Sequence, residues 1–207
     1  MVTKDVTQAR LLEVAAQVFA EKGFEGATVR EICQRADANI AAVNYYFRDK
    51  EKLYIEAVKS ACQCADEETP FPTWPDGTDP RIKLRDFIHT QLRRMLSPDG
   101  PSWHRQLLLR ELAQPTAACA AFVQDHVRPS AAILGSILDE LVPHLPERKR
   151  RLLAFSIVGQ CFFHRVAQPI LTQLVGEEEY RAYDTKTLAD HITEFSLAAL
   201  APHLKLE

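Results

Sequence analysis

The chain has 207 residues and a formal net charge of −3, and this length suits a small domain of about 50 residues followed by a larger one of about 150. The slight negative charge argues against a protein that coats nucleic acid without specificity. Five cysteines, an odd number, fit a reducing compartment; the chain opens with no apolar leader and has no apolar run near the roughly 18 residues of a membrane span. These features predict a cytoplasmic protein.

The first predicted helix runs from Ala9 to Lys22. Its apolar side chains recur on one face: Leu11, Leu12, Ala15, Val18 and Phe19. Lys22, Gly23 and Phe24 then supply a cation in the last turn, a glycine for a left-handed residue and an apolar residue just beyond it. This order is typical of a Schellman ending, so the sequence predicts that the helix stops at Gly23.

A second helix is predicted over residues 29–36. Thr28 followed three residues later by Glu31 is the pattern of a capping box, in which each side chain bonds the main chain of the other residue. Such a cap stabilises a helix by roughly 0.5–2 kcal/mol. The apolar positions form one inward stripe and leave the polar ones outward: Val29, Ile32, Cys33 and Ala36 inward, and Arg30, Glu31, Gln34 and Arg35 outward.

A third, shorter helix is predicted over residues 40–47 after a short break, with Asn39 as its N-cap. Val43 and Phe47 face inward, and Tyr46 lies at the edge. The outward face contains no lysine or glutamate and combines small and polar side chains: Ile40, Ala41, Ala42, Asn44 and Tyr45. Small side chains permit close approach to a partner, so this face suits the major groove of DNA.

The next helix is predicted to begin at Lys50, with Asp49 as its cap. The exposed N–H groups at this end, together with the lysine, predict a site for an anion such as a DNA phosphate. Residues 1–52 hold eight Lys and Arg against eight Asp and Glu. Any binding to DNA must therefore depend on specifically placed charges rather than on a general positive field.

The segment FAEKGFEGATVREICQRADANIAAVNYYFRDKEKLY resembles the N-terminal DNA-binding domain of the TetR family of transcriptional regulators. The resemblance covers about the first quarter of the chain. It rests on the spacing of a few caps, core positions and closing residues: Phe19, Gly23, Phe24, Thr28, Ile32, Ala36, Tyr46, Phe47, Lys50, Glu51 and Leu53.

This resemblance implies which residues touch DNA. General contacts are implied for Thr28, Ala42, Asn44, Tyr45, Tyr46 and Lys50, and the reading of bases for Arg30, Ile40 and Ala41. Many members of the family carry tyrosine where this chain has Asn44, and histidine where it has Tyr46. The sequence therefore leaves open which of these two side chains contacts a base and which contacts a phosphate.

Beyond residue 53 the sequence predicts helices separated by breaks that contain proline or glycine. They cover residues 53–68, 81–96, 102–113, 116–141, 146–175 and 185–201, with a loop at 69–80 and a break at 97–101. No stretch alternates long enough to require a strand, and no internal repeat is present. The predicted fold is all-α, with a three-helix helix-turn-helix DNA-binding domain over residues 1–52 and a helical effector-binding and dimerisation domain over residues 53–207.

The helices predicted at residues 146–175 and 185–201 carry more apolar residues than one core can hide. The first is apolar around much of its circumference: Leu152, Leu153, Phe155, Ile157, Val158, Cys161, Phe162, Phe163, Val166, Ala167, Ile170 and Leu171. Either its own domain encloses this helix, or two copies of the chain meet in a self-complementary interface. TetR-family proteins dimerise through their last two long helices, so the resemblance favours a homodimer. A homodimer predicts a near-palindromic operator with half-sites about 34 Å, or a multiple, apart.

By the same resemblance, helices between about residues 81 and 165 enclose a small-molecule effector. The candidate contacts are polar and aromatic residues that interrupt apolar faces: Phe87, Gln91, Trp103, Arg110, Phe122, His126, Phe162 and His164. The alternative is core packing for the aromatic residues and a structural hydrogen bond for the histidines. For Arg110 the alternatives are a desolvated cation for an anionic group and an ion pair with Glu111. The string LRELAQPTAA resembles the CecR-like branch of the family.

Metal and enzyme chemistry find little support in the sequence. On a helix, Cys62 and Cys64 diverge by about 200°, and the other cysteines lie in apolar surroundings. No nucleophile elbow, zinc-protease motif or phosphate-binding glycine loop is present. The basic run at residues 148–151 fits the solvated start of a helix, the alternative being a second nucleic-acid patch.

The sequence therefore predicts a dimeric, ligand-responsive regulator of transcription without cofactor, metal or enzymatic activity. A repressor is favoured over an activator: the dimer holds palindromic double-stranded operator DNA, and a small-molecule effector releases it by changing the spread of the two DNA-binding domains. The alternatives are a helical module that binds another protein through the same helix, and a small helical enzyme.

Overall fold

A computed structural model of the chain describes residues 2–96 and 103–203, with side chains from residue 6 onward. All regular secondary structure in these ranges is helical, which confirms the predicted fold class. The helices are α1 Val2–Gly26, α2 Val29–Arg35, α3 Ile40–Phe47, α4 Lys50–Glu68, α5 Pro80–Leu96, α6 Trp103–Ala113, α7 Cys119–Phe122, α8 Arg128–Leu141, α9 Glu147–Val166, α10 Gln168–Val175, α11 Glu177–Arg181 and α12 Thr185–Leu200. A π-helical turn, Val123–Val127, joins α7 to α8.

The chain forms two compact units, each built from two separate stretches of sequence. Among the described residues, unit 1 contains 2–68 and 103–129, and unit 2 contains 69–96 and 130–203. Helices α1 to α4, α6 and α7 therefore belong to unit 1, whereas α5 and α9 to α12 belong to unit 2. The functional division after residue 52 stays a prediction.

Unit 1 packs α2, α3, α4 and α6 around the first helix. Its core consists of apolar side chains from all five helices: Leu11, Ala15, Phe19, Ile32, Val43, Phe47, Leu53, Ala57 and Leu107. Three aromatic rings, those of Phe19, Phe24 and Tyr54, meet at the end of α1 with centroids 4.9 to 6.4 Å apart. The core therefore fixes the short helices α2 and α3 against the longer α1 and α4.

The first helix is interrupted at Gly23, where φ is 73° and ψ is 176°. The positive φ that the sequence predicted is confirmed, and glycine adopts it without a steric cost. The extended ψ differs from the left-handed helical value of a Schellman ending, and one further turn follows before the chain reaches α2.

Unit 2 packs α5 against α9 and α12. Its core combines these helices with α8: Leu84, Phe87, Ile88, Leu134, Ile137, Leu138, Ile157, Cys161, Leu188 and Ile192. The proline-rich segment before α5 is held by Trp74 Nε1, which donates to Asp86 Oδ2 at 3.0 Å. The Phe71 ring also stacks on Phe87 with a centroid distance of 5.0 Å. This loop is therefore anchored to the first turns of α5.

Two predicted helices are interrupted in the structure. The sequence predicted a single helix over residues 146–175, one of the two proposed for dimerisation. This prediction is wrong, because the helix is interrupted at Ala167, between α9 and α10. Pro169, in the first turn of α10, has no N–H and its ring would clash with the preceding turn of a continuous helix. The helix predicted over residues 116–141 contains the π-helical turn. The predicted break at residues 97–101 lies outside the described residues.

His104, in the first turn of α6, is a buried titratable group. Its side chain is 1% exposed, and its Nε2 lies 3.1 Å from Glu68 Oε2 at the end of α4. Burial lowers the pKa of His104 below the ordinary value of 6.5; nearby Arg105 acts in the same direction, and Glu68 opposes them. The folded protein therefore keeps His104 neutral at pH values at which the unfolded chain binds a proton.

The pKa of His104 is lower in the folded protein than in the unfolded chain. Its contribution to the free energy of unfolding is therefore fully present above pH 6.5 and decreases as the pH drops below that value. We expect the urea concentration at the unfolding midpoint to decrease when the pH is lowered from about 7.5 to about 5.5. This decrease should be smaller in a His104→Gln variant. His164, whose pKa burial also lowers, accounts for part of the remaining dependence. An equal decrease in the variant and in the wild type would contradict this assignment.

Candidate nucleic-acid interface

Side-chain caps hold α2 and α3 in a helix-turn-helix arrangement. Thr28 Oγ1 accepts a hydrogen bond from the Glu31 N–H at 3.2 Å and caps α2. The turn between the helices has φ 50° at Asp37, a left-handed conformation in which aspartate is enriched. Asn39 Oδ1 accepts from the Ala41 N–H at 2.8 Å and caps α3. Both predicted caps are therefore confirmed.

The reciprocal half of the predicted capping box at α2 is wrong. Glu31 Oε2 accepts from Lys22 at 2.7 Å and Glu31 Oε1 accepts from Arg35 at 2.8 Å, so cations occupy both oxygens. The Lys22 hydrogen bond is the main reason that the pKa of Glu31 is lowered. Arg35 also donates to Glu21 Oε2 at 2.8 Å. Four charged side chains thus connect the end of α1 to α2, an arrangement that the helical periodicity did not reveal.

Four of the five residues predicted on the outward face of α3 are exposed, and Val43 and Phe47 are buried as predicted. The prediction is wrong for Ala42, which is half-buried against the core. The exposed members of the face lie on one side of the helix: Ile40, Ala41, Asn44 and Tyr45. Ile40 is 50% exposed and Tyr45 is 64% exposed, which is high for side chains of this size and apolarity. A short helix that presents such a face, without any charge of its own, is suited to close contact with a groove.

The remaining predicted DNA contacts lie at the start of α2, on α3 and at the start of α4. Thr28 and Arg30 are exposed at the start of α2, and Ala42 is half-buried against the core. Tyr46 is also half-buried, and its ring meets that of Tyr45 edge-on at 5.0 Å.

Lys50 begins α4, and its Nζ lies 4.5 Å from the centroid of the Phe24 ring. Asp49 Oδ1 accepts from the Lys52 N–H at 2.7 Å, which confirms the predicted cap. The cation–π contact holds the ammonium group beside the core of unit 1. The roles of these residues in binding DNA stay predictions.

Four of the predicted effector contacts lie in unit 2. Phe87 is a core residue, and Phe162 is half-buried on α9. Gln91 Oε1 and His164 Nδ1 are buried and have no hydrogen-bond partner among the described residues. Burial lowers the pKa of His164, and nearby His191 adds to this effect. Buried polar atoms usually have a partner, so these two atoms are the unusual feature of this set.

The other four lie in unit 1. Trp103 packs against the core from the first turn of α6. Phe122 is a core residue and stacks on His126 with ring centroids 5.7 Å apart. His126 Nδ1 lies 3.5 Å from Asp66 Oδ1 on α4. The structure thus brings Phe122, at the end of α7, against His126, in the π-helical turn, beside α4.

Arg110 and Glu111, adjacent on α6, have separate partners. Arg110 Nε donates to the Ala20 carbonyl at 2.7 Å, and its Nη2 donates to the Glu21 carbonyl at 2.9 Å. Both carboxylate oxygens of Glu111 accept hydrogen bonds from Tyr54 and Thr116 instead. The ion pair between Arg110 and Glu111 considered in the sequence analysis is therefore wrong, because each charged group binds a different element.

Glu111 is 1% exposed and accepts three hydrogen bonds. Tyr54 Oη donates at 2.9 Å, the Thr116 N–H at 2.8 Å and Thr116 Oγ1 at 2.9 Å. Burial raises the pKa of Tyr54, and the bond to Glu111 adds to the rise. The carboxylate therefore joins α4, α6 and the turn before α7 at one buried point.

The described residues contain no cluster of three or more His, Cys, Asp or Glu side chains that could hold a metal ion. Burial raises the pKa of Cys62 to about 12, so its thiol stays protonated. Among the same residues, every helix is too short or too polar to span a bilayer.

The capped pair of short helices and the exposed face of α3 define a helix-turn-helix protein. Comparison with known proteins agrees. The family model of bacterial regulatory proteins of the tetR family matches residues 11–57. The model of the C-terminal domain of the HTH-type transcriptional dual regulator CecR matches residues 80–200, more than half of the chain.

Individual proteins show the same similarity. CecR of Shigella flexneri is 31% identical over an alignment that covers 88% of each chain. The probable HTH-type transcriptional regulator YttP of Bacillus subtilis (strain 168) is 46% identical over 47 residues, so the match spans only 23% of each chain. AibR, solved in complex with isovaleryl coenzyme A and operator DNA, has the same fold with a TM-score of 0.62 at 17% identity, covering 91% of this chain and 97% of AibR. The chain belongs to the TetR family of bacterial regulatory proteins and to its CecR-like branch.

Proposed function

We propose that the protein is a homodimeric repressor that binds a near-palindromic operator through α3 and is released by a small-molecule effector. It acts in the cytoplasm and catalyses no reaction. The observation that carries the proposal is the exposed, uncharged face of α3, which Asn39 caps and which follows the Thr28-capped α2. Asn44 and Tyr45 offer hydrogen-bond donors on this face, and Arg30 offers an exposed guanidinium on α2.

Selection of bound duplexes from a random pool tests this function. The expected outcome is an enriched near-palindrome whose half-sites lie about one helical turn, or a multiple, apart. Binding should weaken as salt increases, because phosphate contacts release counterions. Failure of the wild-type protein to enrich any sequence at moderate salt would contradict the proposal and would favour the alternative of a protein-binding helical module.

The dimer proposal rests on an exposed apolar stripe along α9. Leu152, Phe155, Phe163 and Val166 recur about every third or fourth residue on one side of the helix, with Gly159 between them. Phe155 is 63% exposed and Phe163 is 53% exposed, and α12 adds Phe195 at 59%. A monomer rarely exposes this much contiguous apolar surface, and two copies of the stripe are self-complementary.

We expect Phe155→Glu to convert the dimer to a monomer in analytical ultracentrifugation, because each copy would bury a carboxylate within the apolar stripe. Operator affinity should fall at the same time, since each monomer reads only one half-site. Ile82→Glu is the matched control, since Ile82 is also apolar and 52% exposed but lies on α5. A Phe155→Glu protein that remains dimeric would contradict this interface.

The effector proposal is supported by buried polar atoms in unit 2. Gln91 Oε1 and His164 Nδ1 would gain partners from a bound polar molecule, which would stabilise the conformation that binds it. The AibR complex contains a coenzyme A thioester, so acyl-coenzyme A compounds are the first class to test on this chain. An effector that couples to DNA binding by about 1–3 kcal/mol would change operator affinity by roughly 5–150-fold.

A further inference from the structure

The guanidinium of Arg110 binds the main chain near the end of α1. Its two hydrogen bonds to the Ala20 and Glu21 carbonyls measure 2.7 and 2.9 Å. The last carbonyls of a helix have no partner within the helix, and a cation near them also interacts favourably with the helix dipole. The Nη1 atom lies beside Gly23, 3.5 Å from the position that a β-carbon would take. Arg110 therefore connects α6 by hydrogen bonds to the part of α1 that precedes the interruption at Gly23.

The same turn of α1 holds the first helix of the helix-turn-helix. The Glu21 side chain accepts from Arg35 at 2.8 Å, and the Lys22 side chain donates to Glu31 at 2.7 Å. Glu21 thus binds α6 through its main chain and α2 through its side chain. A continuous series of charge-assisted hydrogen bonds runs from Arg110 to Arg35.

The residue that follows Arg110 fixes α6 on its other side. Glu111 accepts from Tyr54 on α4 at 2.9 Å in a fully buried contact. Since α6 is attached to α1 by one residue and to α4 by the next, a displacement of α6 must move the end of α1 relative to α4 or break one of these contacts. The end of α1 is joined to α2 by the ion pairs of Glu21 and Lys22, and α2 packs against α3.

We propose that Arg110 is a positioning residue for DNA recognition, through which α6 sets the placement of α2 and α3. This inference rests on the proposed function and replaces the role of effector contact that the sequence suggested for Arg110. The guanidinium Nε and Nη2 are already used by two carbonyls, so the residue joins two protein elements instead of awaiting an anionic group.

Three variants of the full-length protein test the proposal. Arg110→Gln removes the charge and the forked donor, and Arg110→Lys keeps the charge with a single donor group. Arg105→Gln is the matched control, because Arg105 lies on the same helix but faces Glu68 at 3.6 Å. The first readout is affinity for the duplex selected with the wild-type protein. The second is hydrogen exchange of the amides in residues 28–47.

We expect Arg110→Gln to weaken duplex binding by about 2- to 30-fold, the range typical of residues that couple two sites. Arg110→Lys should fall between this variant and the wild type, and Arg105→Gln should match the wild type. Exchange in residues 28–47 should accelerate in Arg110→Gln while exchange in α9 and α12 does not change. A residue with a purely structural role would instead lower protection throughout unit 1 evenly.

The proposal would be overturned if Arg110→Gln had the same duplex affinity as the wild type and the same hydrogen exchange in residues 28–47. Tight duplex binding by the wild type would not change that conclusion. If the wild type selects no duplex, the proposed function fails, and the exchange measurement still decides whether Arg110 positions α2 and α3. If Arg110→Gln does not fold, the comparison of Arg110→Lys with Arg105→Gln decides the question by the same two readouts.

Discussion

Replacing Glu111 with alanine is expected to lower the free energy of unfolding by about 3–5 kcal/mol, because several donors lose their acceptor at once; this is the largest stability effect of any single substitution proposed for this protein. The carboxylate is 1% exposed and accepts from Tyr54 Oη, the Thr116 N–H and Thr116 Oγ1. Its removal leaves buried donors without an acceptor, and each such group costs about 1–3 kcal/mol. The loss is a large fraction of the about 5–15 kcal/mol that holds a typical protein folded.

Urea unfolding of three variants separates the contributions at this point. Tyr54→Phe removes one of the three hydrogen bonds and should cost about 1 kcal/mol. Glu111→Gln keeps the shape and one acceptor oxygen, so its effect should lie between those of Tyr54→Phe and Glu111→Ala. A Glu111→Ala protein that unfolds at the same urea concentration as the wild type would show that this buried junction of α4 and α6 is unimportant for stability.

Replacing Ala41 with glutamate is expected to reduce affinity for the selected duplex by at least about 100-fold. Ala41 is exposed on the outward face of α3, between the larger side chains of Ile40 and Tyr45. A glutamate there would bring a negative charge towards the phosphates and would separate the small face from the groove. Since glutamate is a good helix former, α3 itself should be preserved.

The matched control is Ala131→Glu, which makes the same change at an exposed position of α8. Fluorescence anisotropy with the selected duplex gives the affinities, and the circular dichroism of both variants should equal that of the wild type. If Ala41→Glu binds as tightly as Ala131→Glu, α3 is not the recognition helix.

The helix-turn-helix was predictable because its signals are local. Thr28 and Asn39 lie next to the helices they cap, and the glycine at position 23 adopts the positive φ that its place after Lys22 suggested. The apolar period of three to four residues also placed Val43 and Phe47 in the core. A few residues of sequence were sufficient for each of these inferences.

Contacts between distant segments were not predictable in the same way. Arg110 binds carbonyls 89 and 90 residues away, and Glu111 binds a tyrosine 57 residues away. Neither the sequence around Arg110 and Glu111 nor the sequence at the end of α1 contains a local signal that predicts these partners. Glu31 was assigned to a capping box for a related reason: the pattern identified a possible local bond, and cations on α1 and α2 compete for the same carboxylate.

The break between α9 and α10 differs from these cases because a local signal was present. Pro169 disfavours a helical conformation in the residue before it and removes one N–H from the helix. The continuous apolar pattern across residues 152–171 led to one long helix being predicted instead. An apolar pattern reports burial or contact, whereas the proline determines whether the backbone continues.

Hydroxyl-radical footprinting of the wild-type protein on its selected duplex tests most directly whether this chain reads DNA as a symmetric dimer through α3. The account predicts two protected segments on one face of the duplex, with centres about one helical turn or a multiple apart, and their loss in Ala41→Glu. A single unpaired footprint, or a footprint that Ala41→Glu leaves unchanged, would contradict it.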